Sequence, residues 1–365
     1  MLIRHPSNPL ITPAQVRSSR PDFEVVGTFN AGVTRFGDET LMLVRVAERP
    51  AIRGDGIILC PLVDDTGEII VKRIARDDPD FETSDPRIVR GRRNHETYLT
   101  SISHLRVARS KDGVQFTVGA VPWLVPETNV ESFGVEDGRI TCIGDRYYIN
   151  YSAVSEHGIA TSLVSTSDFV SFVRHGVIFP PSNRDVTLFP QQIDGLYVAY
   201  HRPMPGELGK YSIWMATSPD MVHWGGHRLV LQAGSDRWEA GRVGGGAPPL
   251  WTSRGWLSIY HAADRDNVYC LGAFLTPHDQ PDRIIARSDT PIFKPEADYE
   301  LNGFFGNVVF SCGALIDGDM LRLYYGAADD SMALAEAPLS AFLDSLTKVQ
   351  STHGAPPLRR FGIRY

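Results

Sequence analysis

Positions 133–141 read FGVEDGRIT, so two adjacent carboxylates, Glu136 and Asp137, stand just ahead of a glycine, Arg139 and an apolar run. An acid pair beside a turn glycine is either a solvated turn or a proton-handling pair set next to a base. Groups of matching chemistry recur at comparable places. Arg45 closes an apolar run, Arg184 and Asp185 open one, His201 and Arg202 close one, and His261 closes another. Cations converging on one point repel unless an anion lies among them, and the planar guanidinium fits phosphate in particular. A cationic cradle with one or two carboxylates points to chemistry on a neutral substrate with phosphate as co-substrate. The alternative is that polar residues merely end strands that meet solvent.

The elements that carry these residues decide between the two. Helical periodicity is scarce, and short alternating runs broken by Gly and Asp predict an all-β chain. Five segments repeat the pattern strand, tight glycine turn, strand: their turn glycines are Gly37, Gly144, Gly195, Gly255 and Gly318. Each segment predicts a β-hairpin. A second repeat, [Ser/Thr]-x-Asp-x-x-x-[Phe/Trp], places Asp112, Asp168 and Asp220 at intervals of 56 and 52 residues. Their short side chains can bond the adjoining backbone, which predicts turns before outer strands rather than chemistry.

Five units of four strands predict a five-bladed β-propeller spanning residues 1–365 as one domain, with a two-sheet sandwich as the alternative. A charged insertion at about 50–100 interrupts the first unit as a rim loop. PLSAFLDSL has helical spacing and begins a C-terminal cap and tail over about 338–365.

A hairpin brings the start of its first strand and the end of its second to one edge, and in a propeller these edges meet around a central opening. That opening receives Asn30, Asp137, Arg139, Arg184, Asp185, Gly246 and Asn307 from strand starts. From strand ends it receives Arg45, Ser152, His201, Arg202, His261 and Tyr325. Four arginines and two histidines in that set exceed what solvated strand ends account for.

The chain's gross properties narrow its partners. A formal charge of −7 leaves no basic footprint for nucleic acid. No run approaches the 18 apolar residues of a membrane span, and MLIRHPSNPLITP lacks a signal peptide's apolar core. The four cysteines form no CxxC pair, which with the preceding point sets the expectation of a cytoplasmic protein. VGGGAPP is followed by prolines rather than a helix, so its glycines serve close backbone approach, not nucleotide binding. HETYLTSISH is not a zinc motif, and the sequon at Asn150 lies on an inner strand.

The segments FNAGVTRFGDETLMLVR, VEDGRIT, NRDVTLFPQQIDGLYVAYHRP, GGGAPPLWTSRGWLSIYH and NVVFSCG with LYYGAADD, in this order along nearly the whole chain, resemble glycoside hydrolase family 130. The resemblance implies an inverting β-mannoside phosphorylase on a five-bladed propeller, and FNAGV with RVAERP looks closest to the β-1,2-mannobiose branch. β-1,4-Mannosyl phosphorylase, β-mannosidase and a non-catalytic sugar-binding propeller are the alternatives.

By the same resemblance, Glu136-Asp137-Gly138-Arg139 matches a Glu-Asp-Pro-Arg motif, with Gly in place of Pro, and Asp137 is the general acid. Phosphate ligands fall on Arg45, Arg184, Arg202 and His261, with His201 alongside, and Arg184 stands where many members carry Lys. Asp329 falls on mannose hydroxyls. Asn30, Arg139, Asp185, Gly246, Tyr260 and Asp264 complete the substrate-binding expectation, Tyr260 being equally a core residue and Asp264 equally a turn residue. No metal or organic cofactor is implied. The partners are a small β-mannoside and phosphate, with a homo-oligomer open.

Overall fold

The computed structural model describes residues 2–349 except 53, 94–95, 207 and 235–237. His95 and the tail PPLRRFGIRY lie outside the described residues.

All five expected hairpins form. They pair Phe23–Phe36 with Glu39–Pro50, Gly134–Ile143 with Arg146–Ser155, Asn183–Leu188 with Tyr197–Pro203, Leu250–Thr252 with Gly255–Ala263, and Val309–Asp317 with Met320–Ala327. In the fourth, a separate strand, Arg242–Gly245, pairs the far end of Gly255–Ala263. The turn glycines follow from backbone sterics: Gly144 and Gly318 sit at φ +64° and +61°, where a Cβ is disfavoured. The three repeated aspartates cap turns as expected. Asp112 Oδ1, for example, accepts the backbone N–H groups of Val114 and Gln115 at 2.8 Å each.

Outer strands extend each hairpin into a sheet, with two departures from five separate units. The first two sheets are joined into one of eight strands by a parallel contact between Gly134 and Ser103. The fifth sheet takes its outermost strand, Ile3–Arg4, from the other end of the chain, pairing it with Ser331–Pro338. The insertion is not an irregular loop. It folds as a hairpin, Ile57–Val63 with Ile69–Ala75, and a small sheet of Phe81–Glu82, Ile88–Gly91 and Thr97–Leu99. The helix expected in PLSAFLDSL is Leu339–Asp344.

Alternation along the strands puts apolar side chains between successive sheets. Leu41 and Leu43 of the first hairpin meet Ile140 and Ile149 of the second. Leu163 and Ile178 meet Val186 and Ala199, and Phe189 and Tyr200 meet Trp256 and Phe274. Leu257 and Ile259 meet Val309 and Leu323, and Tyr324 and Leu334 return to Val33 and Met42 of the first hairpin. Each fully buried aliphatic or aromatic side chain contributes about 1.5–3 kcal/mol. The five clusters together hold the hairpin edges in one fixed set of positions.

Candidate active site

The inner strands of the first three hairpins are bulged at equivalent places. Pairing slips between Phe29 and Gly32, between Glu136 and Arg139, and between Arg184 and Thr187. Within these bulges Asn30, Asp137 and Asp185 adopt φ of +51°, +52° and +57°. Asn and Asp tolerate this left-handed conformation better than other side-chain-bearing residues, and a bulge re-aims the side chain it carries. Polar groups from three sheets are thereby turned toward one place.

Two adjoining cavities result. The first, about 300 Å³, is lined by Asn30, Arg45, Glu136, Asp137, Arg184 and Asp329, with Asp85, Arg87 and Arg90 from the insertion and Phe305 from the loop that leads into Val309–Asp317. The second, about 170 Å³, is lined by Arg184, Asp185, Arg202, Arg242 and His261. Arg184, Tyr269 and Phe310 line both.

In the first cavity, Asp137 is 2% exposed. Its Oδ1 accepts from Asn30 Nδ2 and Arg45 Nη1, each at 3.0 Å, and its Oδ2 lies 3.4 Å from Arg184 Nη2. Burial opposes ionisation of Asp137, but Arg45, Arg184, Arg139 and the Asn30 amide outweigh it and hold the carboxyl below its ordinary value. Arg45 also grips Glu136 at 2.7 Å and stacks on Phe29. Glu136 is shifted the other way, because burial and the neighbouring Asp137 charge exceed the pull of Arg45. Burial likewise lifts Asp329 to about 6.

The second cavity is built around Asp185. Its carboxylate faces Arg202 at 2.7 Å, Arg139 and His261 at 3.4 Å, and Arg184 at 3.7 Å. Despite full burial the arginines, Arg202 above all, keep it well below the usual carboxylate range. Burial takes His261 down to about 3, so its imidazole is neutral near neutral pH. The Arg184 and Arg202 Nε–H donors are buried without a hydrogen-bond partner, as are His261 Nδ1 and Asp185 Oδ2. Unpaired buried donors are costly, and an anion with several acceptor oxygens satisfies them.

The remaining expected residues divide clearly. Arg45 stands beside the acid in the first cavity and does not line the second. Arg139 lies behind the wall, 1% exposed, donating to the carbonyls of Gly246 and Gly245 at 2.8 Å and of Asp137 at 3.1 Å. The glycines of VGGGAPP allow close approach beside this contact, since a Cβ on Gly244 falls 2.4 Å from the His261 ring and one on Gly245 falls 2.5 Å from the Asp185 carbonyl oxygen.

Besides Arg139, the expected residues His201, Gly246, Tyr260 and Asp264 line neither cavity, and nor do Ser152, Asn307 and Tyr325, which were expected at the opening. His201 stacks on Phe179 and bonds Asn183 and His227, because alternation along Tyr197–Pro203 points it away from the side taken by Arg202. Tyr260, the neighbour of His261, is turned by the same alternation into the apolar cluster, where its hydroxyl meets Glu239 and Arg287. Asp264 caps a turn, accepting from the backbone of Asp266 and Val268.

The sequence reading missed Arg242 and the insertion's contribution. Arg242 begins the inner strand of the fourth sheet, ahead of the glycines, and hydrogen-bonds the Tyr269 hydroxyl at 2.8 Å. Arg87 is held by Asp85 at 3.0–3.1 Å and lies 3.8 Å over the Phe305 ring. The run RIVRGRR was its only signal, and charge alone does not distinguish a lining from a rim. Among the described residues no group of three or more His, Cys, Asp or Glu is placed to hold a metal, and no helix is long and apolar enough to cross a membrane.

Over residues 82–348 the chain matches a model of glycoside hydrolase family 130, described as beta-1,4-mannooligosaccharide phosphorylase. It is 45% identical over 348 residues to the beta-1,2-mannobiose phosphorylase of Listeria innocua, covering 94% of this chain and 98% of that protein. It is 39% identical to a 1,2-beta-oligomannan phosphorylase of a Thermoanaerobacter species, over 66% of this chain and 80% of that one. Among solved structures, the Listeria innocua beta-1,2-mannobiose phosphorylase in complex with beta-1,2-mannobiose superposes with a TM-score of 0.92 at 44% identity, covering 94% and 99% of the two chains.

Proposed function

This chain belongs to glycoside hydrolase family 130, and on that premise we propose that it is an inverting phosphorylase cleaving β-1,2-mannobiose or a short β-1,2-mannoside to α-mannose 1-phosphate and a released sugar. The observation that carries the reading is the pair of cavities sharing Arg184, one holding a carboxyl group and the other a set of arginines with buried N–H donors that lack a hydrogen-bond partner. Phosphate in the second cavity, held by Arg184, Arg202, Arg242 and His261, attacks the anomeric carbon of a mannoside in the first. The glycosidic C–O bond breaks as Asp137 gives its proton to the leaving oxygen, directly or through a sugar hydroxyl. Positioning and charge complementarity do the rest.

A β-mannosidase on the same scaffold requires a carboxylate free to deprotonate water. Asp185 is the acid nearest the anion cavity, and its carboxylate lies among the guanidinium groups of Arg202, Arg139 and Arg184 at 2.7–3.7 Å, so it serves the arginines rather than a water. Asn30 and Asp329 are read as contacts to the mannosyl unit, Glu136 as the counter-ion that fixes Arg45. Arg87 on Phe305 is read as a contact to the released sugar.

The five sheets, packed each on the next and the last on the first, support a single five-bladed β-propeller domain, with the N-terminal strand completing the last blade. Four free thiols fit the cytoplasm.

Incubating β-1,2-mannobiose with enzyme, with and without phosphate, tests the reading: mannose 1-phosphate forms only with phosphate. Free mannose released at the same rate in both mixtures makes the protein a hydrolase. Asp137→Asn is expected to lower kcat by about 10²–10⁴ while sugar still binds, and undiminished turnover would remove Asp137 from the acid role. Reverse reactions from mannose 1-phosphate with a panel of acceptors fix the linkage.

A further inference from the structure

We propose that Arg184 couples the two cavities: phosphate takes over the guanidinium that Asp137 otherwise shares, and Asp137 then takes up from solvent the proton it later donates. This rests on the phosphorylase reading and adds to it an order of events, in which phosphate arms the acid.

A general acid must hold its proton until the leaving oxygen takes it. Asp137 without phosphate is placed to do the opposite. The groups facing it are Arg45 from Glu39–Pro50, Asn30 from Phe23–Phe36, Arg184 from Asn183–Leu188, Arg139 and Glu136 from its own strand, and Asp329 beyond Met320–Ala327. The cations among them favour the carboxylate, which leaves nothing to donate. One of them has to be diverted.

The contacts single out which. Arg45 is fixed by Glu136 at 2.7 Å, by Ser103 at 3.0 Å and by the Phe29 ring, as well as by Asp137. Arg139 is fixed by three backbone carbonyls. Arg184 reaches Asp137 only at 3.4 Å and Asp185 only at 3.7 Å, lines both cavities, and keeps its Nε buried without a hydrogen-bond partner. A phosphate dianion beside Arg202 and His261 competes for that guanidinium with two charges against one. When Arg184 turns its charge to phosphate, the Asp137 carboxylate loses a stabilising neighbour and binds a proton more tightly. Glycosidic cleavage then consumes that proton at the leaving oxygen while a phosphate oxygen bonds to the anomeric carbon. Charge and atoms balance with no further reactant.

Linkage makes the coupling measurable without turnover, because a ligand that raises a group's proton affinity binds with proton uptake. Inorganic phosphate is titrated calorimetrically into the full-length enzyme in two buffers of different ionisation heat, near pH 6 and near pH 8. The wild type is expected to take up more protons than Asp137→Asn, by up to about one per site. Asp137→Asn should bind phosphate more tightly than wild type and lose less affinity as pH rises. Subtracting the two forms removes the contributions of phosphate's own ionisation and of His261.

Arg184→Lys should retain the extra proton uptake, and Arg184→Gln should abolish it. These two variants read the same linkage with Asp137 intact, so a poorly folded Asp137→Asn does not end the test. Phosphate binding with equal proton counts in wild type, Asp137→Asn and Arg184→Gln overturns the coupling and leaves the phosphorylase reading standing. Absence of phosphate binding to the wild type overturns both.

Discussion

Replacing Asp185 by Asn removes a charge but almost no volume from the centre of the second cavity. Asp185 is 1% exposed and is the shared counter-ion of Arg202, Arg139 and Arg184 at 2.7–3.7 Å. Breaking a buried ion pair costs about 3–5 kcal/mol because the partner charge stays buried without compensation. The Asn oxygen still accepts a hydrogen bond, which favours the lower end, about 3 kcal/mol. With about 2.1 cal/mol/K of unfolding entropy per residue, a chain of 365 residues converts that into a fall in Tm of about 4 °C. Phosphate should reverse the effect, since a bound dianion replaces the missing charge. At a hundredfold excess over its Kd a ligand stabilises by about 2.7 kcal/mol, or about 3–4 °C here. The variant, whose cavity carries one more unit of positive charge, should gain more than the wild type at equal phosphate. Scanning calorimetry of both proteins with and without phosphate measures all four Tm values. A variant melting within about 1 °C of wild type, or gaining no more than wild type from phosphate, refutes the assignment of Asp185 as the cavity's counter-ion.

Asp329 titrates near 6 against 3.8 for an ordinary aspartate. A carboxyl raised by burial supports stability while it is protonated, so that support is whole below about pH 4 and is lost as pH climbs through 6. Thermal unfolding of Asp329→Asn across pH 4–7 should show this decline removed, and an unchanged profile would contradict it. Arg87→Ala should raise KM for the acceptor sugar in the reverse reaction by about 10–100-fold, leaving KM for mannose 1-phosphate nearly unchanged. Equal effects on both substrates would place Arg87 elsewhere. A Cβ on Gly32 falls 2.3 Å from the Gly138 carbonyl oxygen, so Gly32→Ala should cost about 1–3 kcal/mol through overpacking. It should also lower kcat by shifting the strand that carries Asp137. Wild-type Tm and kcat in this variant would show that the strands give way freely.

The sequence alone determined the hairpins and much of the chemistry. Turn glycines at fixed places and alternating apolar runs leave few other local structures, so the five hairpins and the three aspartate-capped turns were legible from residue type. The places of Asp137, Arg45, Arg184, Arg202 and His261 at the cavities followed because hairpin geometry brings strand starts and ends to a common edge.

Tertiary structure decided which of two neighbours faces the site. Strand alternation separates His201 from Arg202 and Tyr260 from His261, and its phase is set by packing between sheets. The bulges that turn Asn30, Asp137 and Asp185 inward follow from pairing across strands, which residue type does not encode by itself. The insertion's Arg87 becomes part of the cavity only by docking on Phe305, more than two hundred residues along the chain. Proton affinity was settled last: Glu136 and Asp137 are adjacent acids of nearly equal intrinsic strength, and burial beside Arg45 and Arg184 moves them in opposite directions.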